Sequence, residues 1–117
     1  MKIRVKFKKD RFSTRRGGTS KALDLFCRKC GNLVLIYQKD GPGSLLRCYV
    51  DRILYPQQYI PKNIRYVRQM PKLTCNDCDA LIGTPARYKR HGENRLAFNM
   101  IKASFKKKIS THVRLVK

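Results

Sequence analysis

The sequence is poor in acidic residues and contains no long apolar run. Its 117 residues include 7 Asp and Glu against 28 Lys and Arg, so the formal net charge is +21. No apolar stretch is long enough to span a bilayer, and the opening residues MKIRVKFKK contain no apolar core of signal-peptide type. We therefore expect no membrane partner and a cytoplasmic location, with the matrix of an organelle as the open alternative.

The sequence also contains no pattern typical of a catalytic site. Asp51 lies in VDRI with no second carboxylate placed to work with it, and we expect it to pair with a neighbouring Arg. The glycine stretches GPG and RRGG do not make a P-loop, and neither a helix-turn-helix nor a histidine-containing finger spacing is present. We predict that the protein is not an enzyme and that it does not read DNA bases with a helix.

The excess of positive over negative charge indicates an anionic partner. A net charge of +21 penalises the compact state through self-repulsion, and nucleic acid is the densest polyanion available to offset it. The alternative is a solvated basic surface, but few acids are interleaved among the cations. Because no base-reading helix is predicted, the pattern favours RNA recognised by shape over a specific DNA sequence.

One cysteine phrase occurs twice. Residues 25–34 read LFCRKCGNLV and residues 73–82 read LTCNDCDALI. Two C-x-x-C pairs separated by a long insert are the pattern of a four-thiolate metal site, and soft thiolates suit Zn²⁺. We therefore predict one structural Zn²⁺ and no catalytic group. Its predicted ligands are Cys27, Cys30, Cys75 and Cys78.

Other interpretations of the cysteines remain open at this point. A rubredoxin-like iron site would use similar paired turns, and unliganded reduced cysteines are also possible. Disulfides are disfavoured by the odd cysteine count and the missing secretory signal. Cys48 lies in a predicted strand and is expected to be a small buried residue. His91 and His112 are expected to lie in exposed loops or tails.

Turn signals divide the chain into a central domain and two basic ends. Residues 33–37 and 45–54, separated by KDGPGS, are predicted to form a β-hairpin. Residues 80–90 and 95–105, separated by HGEN, are predicted to form a second one, although 95–107 also fits a helix. Gly31 suits a tight turn with positive φ. We expect a basic N-terminal extension (1–22), a central domain (23–105) and a basic C-terminal tail (106–117).

Cations cluster near both ends and after the second cysteine pair. Phosphate contact requires only charge and reach, and the interleaved aromatics Tyr66 and Tyr88 suit either core packing or stacking on unpaired bases. The predicted RNA-binding residues are Lys6, Lys8, Lys9, Arg11, Arg15, Arg16, Lys21, Arg87, Lys89, Arg90, Lys106, Lys107 and Lys108.

With CRKC and CNDC each followed by a predicted hairpin, the chain resembles zinc-ribbon proteins, and among them small basic ribosomal proteins. The resemblance covers roughly residues 25–98. It implies a small mostly-β zinc ribbon with basic extended termini that binds rRNA in a ribosomal subunit, beside neighbouring ribosomal proteins. Two rivals are a transcription-associated zinc ribbon and a rubredoxin-like electron carrier.

Overall fold

The computed structural model describes residues 3–8, 20–41, 44–59, 64–89 and 92–115. They form strands and single turns of 3-10 helix. The 3-10 turns cover Val50–Arg52, Gln57–Tyr59, Val67–Gln69 and Lys102–Ser104. The strands are β1 (Ile3–Val5), β2 (Ser20–Cys27), β3 (Leu33–Asp40), β4 (Arg47–Tyr49), β5 (Ile53–Tyr55), β6 (Leu73–Thr74), β7 (Leu81–Tyr88), β8 (Arg95–Met100), β9 (Phe105–Ile109) and β10 (Val113–Leu115).

Two four-stranded antiparallel sheets make up most of the fold. The first has the strand order β5-β3-β2-β9 and the second has the order β4-β8-β7-β6. β2 and β3 pair on either side of the first C-x-x-C, and β6 and β7 pair on either side of the second. The prediction of a small mostly-β protein is therefore confirmed.

The chain crosses between the two sheets. β4 joins the second sheet by pairing with β8, whereas β5 returns to the first and pairs with β3. The predicted single strand over residues 45–54, paired with 33–37, is therefore wrong as one element. The turn Val50–Arg52 interrupts it, and the two halves find partners in different sheets.

The second half of the chain makes a matching exchange. β7 pairs with β8 from Gly83↔Met100 to Tyr88↔Arg95, so residues 95–100 form a strand and not a helix. After Lys102–Ser104 the chain enters β9, which pairs with β2. Each half thus supplies a strand to the sheet built mainly by the other half.

Apolar side chains from both sheets form one core. Leu25, Leu35, Leu73 and Ile82 are almost completely inaccessible to solvent. Leu25 and Leu73 hold equivalent places in the two cysteine phrases, and so do Val34 and Ile82, which are also buried. The apolar residues that recur in the two cysteine phrases therefore occupy equivalent positions in the core.

The two ends of the described chain pair with each other. β1 and β10 form a parallel two-stranded sheet with Ile3 opposite Val113. The Lys8 N–H donates to Gln38 Oε1 (2.8 Å), and Gln38 Nε2 donates back to the Lys8 carbonyl (2.9 Å). The segment expected to be a tail, 106–117, contributes β9 and β10 as far as residue 115.

A buried carboxylate holds the C-terminal end against β2. Asp24 is 1% exposed, and it accepts hydrogen bonds from the Ser110 hydroxyl (2.6 Å) and the Thr111 N–H (3.1 Å). His112 Nδ1 lies 2.6 Å from the same carboxylate. A buried polar group is tolerated when it is hydrogen-bonded, and the Asp24 carboxylate accepts two such bonds.

Among the residues whose structure is described, no helix is long and apolar enough to cross a membrane.

Candidate metal centre

The two C-x-x-C sequences form two turns of the same construction. We call residues 27–32 the first knuckle and residues 75–80 the second knuckle. The Gly31 N–H donates to the Cys27 carbonyl (2.8 Å), and the Asp79 N–H donates to the Cys75 carbonyl (2.9 Å). Both donors have positive φ, +81° at Gly31 and 62° at Asp79, so the predicted positive φ at Gly31 is confirmed.

A second hydrogen bond closes each knuckle. The Cys27 N–H donates to the Asn32 carbonyl (2.9 Å), and the Cys75 N–H donates to the Ala80 carbonyl (2.8 Å). The first cysteine of each knuckle is thereby fixed by its own backbone at the end of a strand. The repeated cysteine phrase therefore specifies the same two backbone hydrogen bonds in each knuckle.

The knuckles face each other and bring four sulfur atoms together. The Cys27 and Cys78 sulfurs are 3.6 Å apart, as are those of Cys30 and Cys75. All four lie within 4.8 Å of one another. Four sulfurs bound to Zn²⁺ at about 2.3 Å in a tetrahedron would be about 3.8 Å apart. The four cysteines that the sequence predicts are therefore positioned to hold a metal ion.

Cys27 and Cys30 differ in proton affinity because backbone N–H groups, desolvation and neighbouring sulfurs balance differently at the two thiols. The pKa of Cys27 is lowered to about 7. The main cause is a hydrogen bond from the Cys30 N–H to the Cys27 sulfur, which acts against the effect of desolvation. At Cys30 the Asn32 N–H also lowers the pKa, but desolvation and the neighbouring sulfurs outweigh it and raise the pKa to about 12. Four thiolates cannot share this volume without a cation, so metal binding would replace protons there.

Exposure differs between the ligand positions. Cys27 and Cys75 are buried, whereas Cys30 is exposed and Cys78 is intermediate. The cluster therefore has a protein side and a solvent side, and a closed four-thiolate set is typical of a structural metal site.

The remaining candidate residues do not belong to the cluster. Cys48 is fully buried in β4, as predicted, and burial raises the pKa of its thiol. His112 contacts Asp24, and His91 lies outside the described residues. Asp51 pairs with Arg95 at 2.7 Å and lies 3.9 Å from Arg52, so its predicted arginine pairing is confirmed.

The structure describes only part of the predicted RNA-binding set. Lys9, Arg11, Arg15, Arg16 and Arg90 lie outside the described residues. Of the others, Arg87 donates to Asn94 Oδ1 (2.8 Å) and also to the Arg65 carbonyl. The exposed side chains are those of Lys6, Lys8, Lys21, Lys89, Lys106, Lys107 and Lys108.

The two tyrosines singled out by the sequence contact arginines of this chain. Arg68 lies over the Tyr66 ring at 4.5 Å, and Arg47 lies over the Tyr88 ring at 4.2 Å. Tyr88 also meets Tyr49 edge to face, at 5.9 Å between ring centroids. Tyr66 remains half exposed, so of the two it is better placed to contact a base.

Sequence reasoning missed two exposed cations that line one groove with the lysines of β9. Arg28, inside the first knuckle, and Lys102, in the turn before β9, line the same groove as Lys106, Lys107 and Lys108. The two residues between the first pair of cysteines, Arg28 and Lys29, are both basic, and this was the sequence signal that could have pointed to the groove. The second knuckle has Asn76 and Asp77 in those places, so the two knuckles differ in charge.

A scan against protein-family models and searches of curated proteins and of solved structures find no match to this chain. The four-cysteine cluster and the distribution of cations are therefore the observations from which a function is inferred.

Proposed function

We propose that this chain is a structural RNA-binding protein of the ribosome, a zinc ribbon whose Cys₄ site holds one Zn²⁺ and whose exposed cations bind rRNA. The observation that supports it most is the meeting of the two knuckles. A cluster of four cysteines joins two sheets in a chain that carries a net charge of +21.

The ion would link the two sheets to each other. Cys27 ends β2 of the first sheet and Cys75 follows β6 of the second. Structural Zn²⁺ contributes about 10–16 kcal/mol in small peptides, which is comparable to the entire stability of a domain. Such a contribution would offset the mutual repulsion of the cations and leave them available to an external polyanion.

The exposed lysines supply the surface for that polyanion. Lys106, Lys107 and Lys108 are consecutive and exposed on β9, which ends the strand order of the first sheet. Lys106 pairs with Phe26 of β2, and the Lys108 ammonium lies 5.9 Å from the Phe26 ring centroid. Successive side chains of a strand face opposite sides, so Lys106 and Lys108 lie on the face of Phe26 and Lys107 lies on the other. The strand fixes the spacing of these charges, so phosphates would meet ordered cations on both faces.

Sedimentation tests the ribosomal assignment. A native extract containing the tagged chain is separated on a sucrose gradient at raised salt, and the fractions are probed for the tag. The proposal predicts that the chain travels with one ribosomal subunit and is released by RNase. Migration with RNA polymerase or the nucleoid would support the transcription-associated alternative, and migration as free protein would contradict both assignments.

Salt dependence tests the mode of binding. Each phosphate neutralised contributes about −0.7 to −0.9 to the slope of log affinity against log salt concentration. About six contacts would therefore give a slope of roughly −4 to −5. An affinity for RNA that does not change with salt would contradict binding through phosphates.

A further inference from the structure

A groove lies between β9 and the residues that precede β4. It has a volume of about 420 Å³, and five exposed cations line it. None of its lining residues within the described part of the chain is acidic. The cations are Arg28, Lys102, Lys106, Lys107 and Lys108. Clefts lined by charge of one sign concentrate ligands of the opposite sign, so this groove is suited to a polyanion.

Beneath the cations the groove has an apolar floor. Leu45, Leu46, Met100 and Phe105 form it, and the Leu46 side chain is 62% exposed. A double-stranded helix presents its phosphates outward and would meet only the cationic rim. The floor suits the face of an unstacked base, as in proteins that bind single strands through a charged groove and apolar or aromatic contacts.

Arg28 ties the rim of the groove to the metal centre. Its backbone N–H donates to the Ser104 carbonyl and its Nε donates to the Phe105 carbonyl, both at 3.0 Å. The Nε bond uses one of the five guanidinium donors. Because Arg28 lies between Cys27 and Cys30, the first knuckle sets where this cation stands relative to the β9 lysines.

We infer that this groove binds an unpaired segment of RNA, with phosphates on the Arg28 and β9 lysine rim and a base against Leu46. The inference rests on the proposed function, because it assigns RNA to one surface. It goes further by specifying single-stranded RNA and by adding Arg28, Lys102 and the apolar floor to the binding residues.

Fluorescence anisotropy on the full-length, metal-loaded chain tests this inference. The probe is an oligouridylate of about ten nucleotides, compared with an oligonucleotide of equal length whose central positions lack bases. Leu46→Ser is expected to weaken binding of the oligouridylate about fivefold and to leave binding of the abasic probe unchanged. Ile109→Ser is the matched control, because Ile109 is also 62% exposed but does not line the groove.

Charge reversal tests the rim separately. Lys107→Glu is expected to weaken both probes about tenfold at low salt, with a much smaller effect of Lys72→Glu, whose exposed lysine lies outside the groove lining. Circular dichroism and metal content confirm that each variant is folded. Both changed side chains are exposed, so the fold is expected to tolerate them.

Each other outcome would overturn a defined claim. If RNA binds but Leu46→Ser and Ile109→Ser behave alike, the groove inference fails and the proposed function stands. If neither probe binds the wild-type chain, both fail. If an oligoglutamate peptide displaces RNA at equal charge concentration, the groove takes an acidic protein segment and the RNA inference is wrong.

Discussion

The sulfur of Cys27 lies 3.6 Å from the sulfur of Cys78, although 51 positions separate the two residues in the sequence. This contact joins a knuckle at the end of β2 to a knuckle that follows β6. The two knuckles have the same pattern of internal backbone hydrogen bonds, and each has a positive-φ residue at the same position. The repeated cysteine phrase therefore encodes two similar halves of one site.

Loss of one ligand should unfold the protein. Cys75→Ser replaces a buried cysteine of the cluster, and we expect it to abolish the proposed stoichiometric zinc binding and cooperative thermal melting, because a structural Zn²⁺ would supply about 10–16 kcal/mol. A strong chelator should have the same effect on the wild-type chain. Cys48→Ala is the control: it changes a buried cysteine outside the cluster, costs about 1 kcal/mol and should leave the metal content unchanged.

The positive-φ residue of each knuckle should respond to substitution in the opposite direction from the other. At Gly31 a Cβ would meet nothing within 4 Å, so Gly31→Ala is expected to cost about 1 kcal/mol from backbone conformation alone. Asp79→Gly should stabilise the chain by up to about 1 kcal/mol, since it removes a Cβ from the same conformation. Urea unfolding of the metal-loaded variants measures both changes. Equal effects of the same sign would contradict the matched geometry.

Removing the charge of Asp24 should loosen the C-terminal end. Asp24→Asn weakens its interactions with Ser110, Thr111 and His112, and we expect a loss of about 1–3 kcal/mol. Hydrogen exchange should quicken most in β10 and β1. Asp77→Asn removes the same charge from an exposed position and should leave those strands protected. Equal protection in both variants would show that the Asp24 contacts are not needed there.

Alkaline pH should destabilise the fold through Tyr37. Burial raises the pKa of its phenol well above the usual 10, so the folded state keeps the proton that the unfolded state loses. The contribution of Tyr37 to stability is therefore complete below pH 10 and is lost as pH rises towards the folded-state pKa. Unfolding free energies measured across this pH range should fall accordingly.

Tyr37→Phe separates that pH effect from the hydrogen bond of the same side chain. The Tyr49 N–H donates to the Tyr37 hydroxyl at 2.8 Å, so the variant should lose about 1–3 kcal/mol at neutral pH. Above pH 10 its stability should fall less steeply than that of the wild type. A slope equal to that of the wild type would contradict the assignment to Tyr37.

The sequence predicted the cysteine cluster because its information is local and repeated. Each C-x-x-C specifies its own turn, and the flanking Leu25 and Leu73 mark equivalent buried positions. Gly31 signalled the turn conformation, since glycine tolerates positive φ. The second knuckle reaches the same conformation with Asp79, a signal that becomes readable only when the two phrases are aligned.

The exchange of strands between sheets could not be predicted in the same way. The alternating pattern of residues 45–54 indicates extended chain, but it does not say that β4 pairs with β8 while β5 pairs with β3. Those partners are distant in the sequence and are chosen by the packing of the whole core. The same holds for Arg52, which is 1% exposed and pairs with Asp40 at 2.7 Å.

The groove was also beyond sequence reasoning, for a related reason. The lysines of β9 were visible as a charge cluster, but Arg28 comes near them only because β9 returns to pair with β2. Leu46 looks like a core residue in the sequence and is exposed in the structure. A surface assembled from several elements has no continuous sequence signal.

X-ray absorption at the metal edge of the purified chain tests the central claim most directly, because it identifies the element and counts its ligands. We predict one zinc per chain surrounded by four sulfur atoms at about 2.3 Å. Iron at the site, a coordination shell containing nitrogen or oxygen, or protein that is folded without metal would contradict the account.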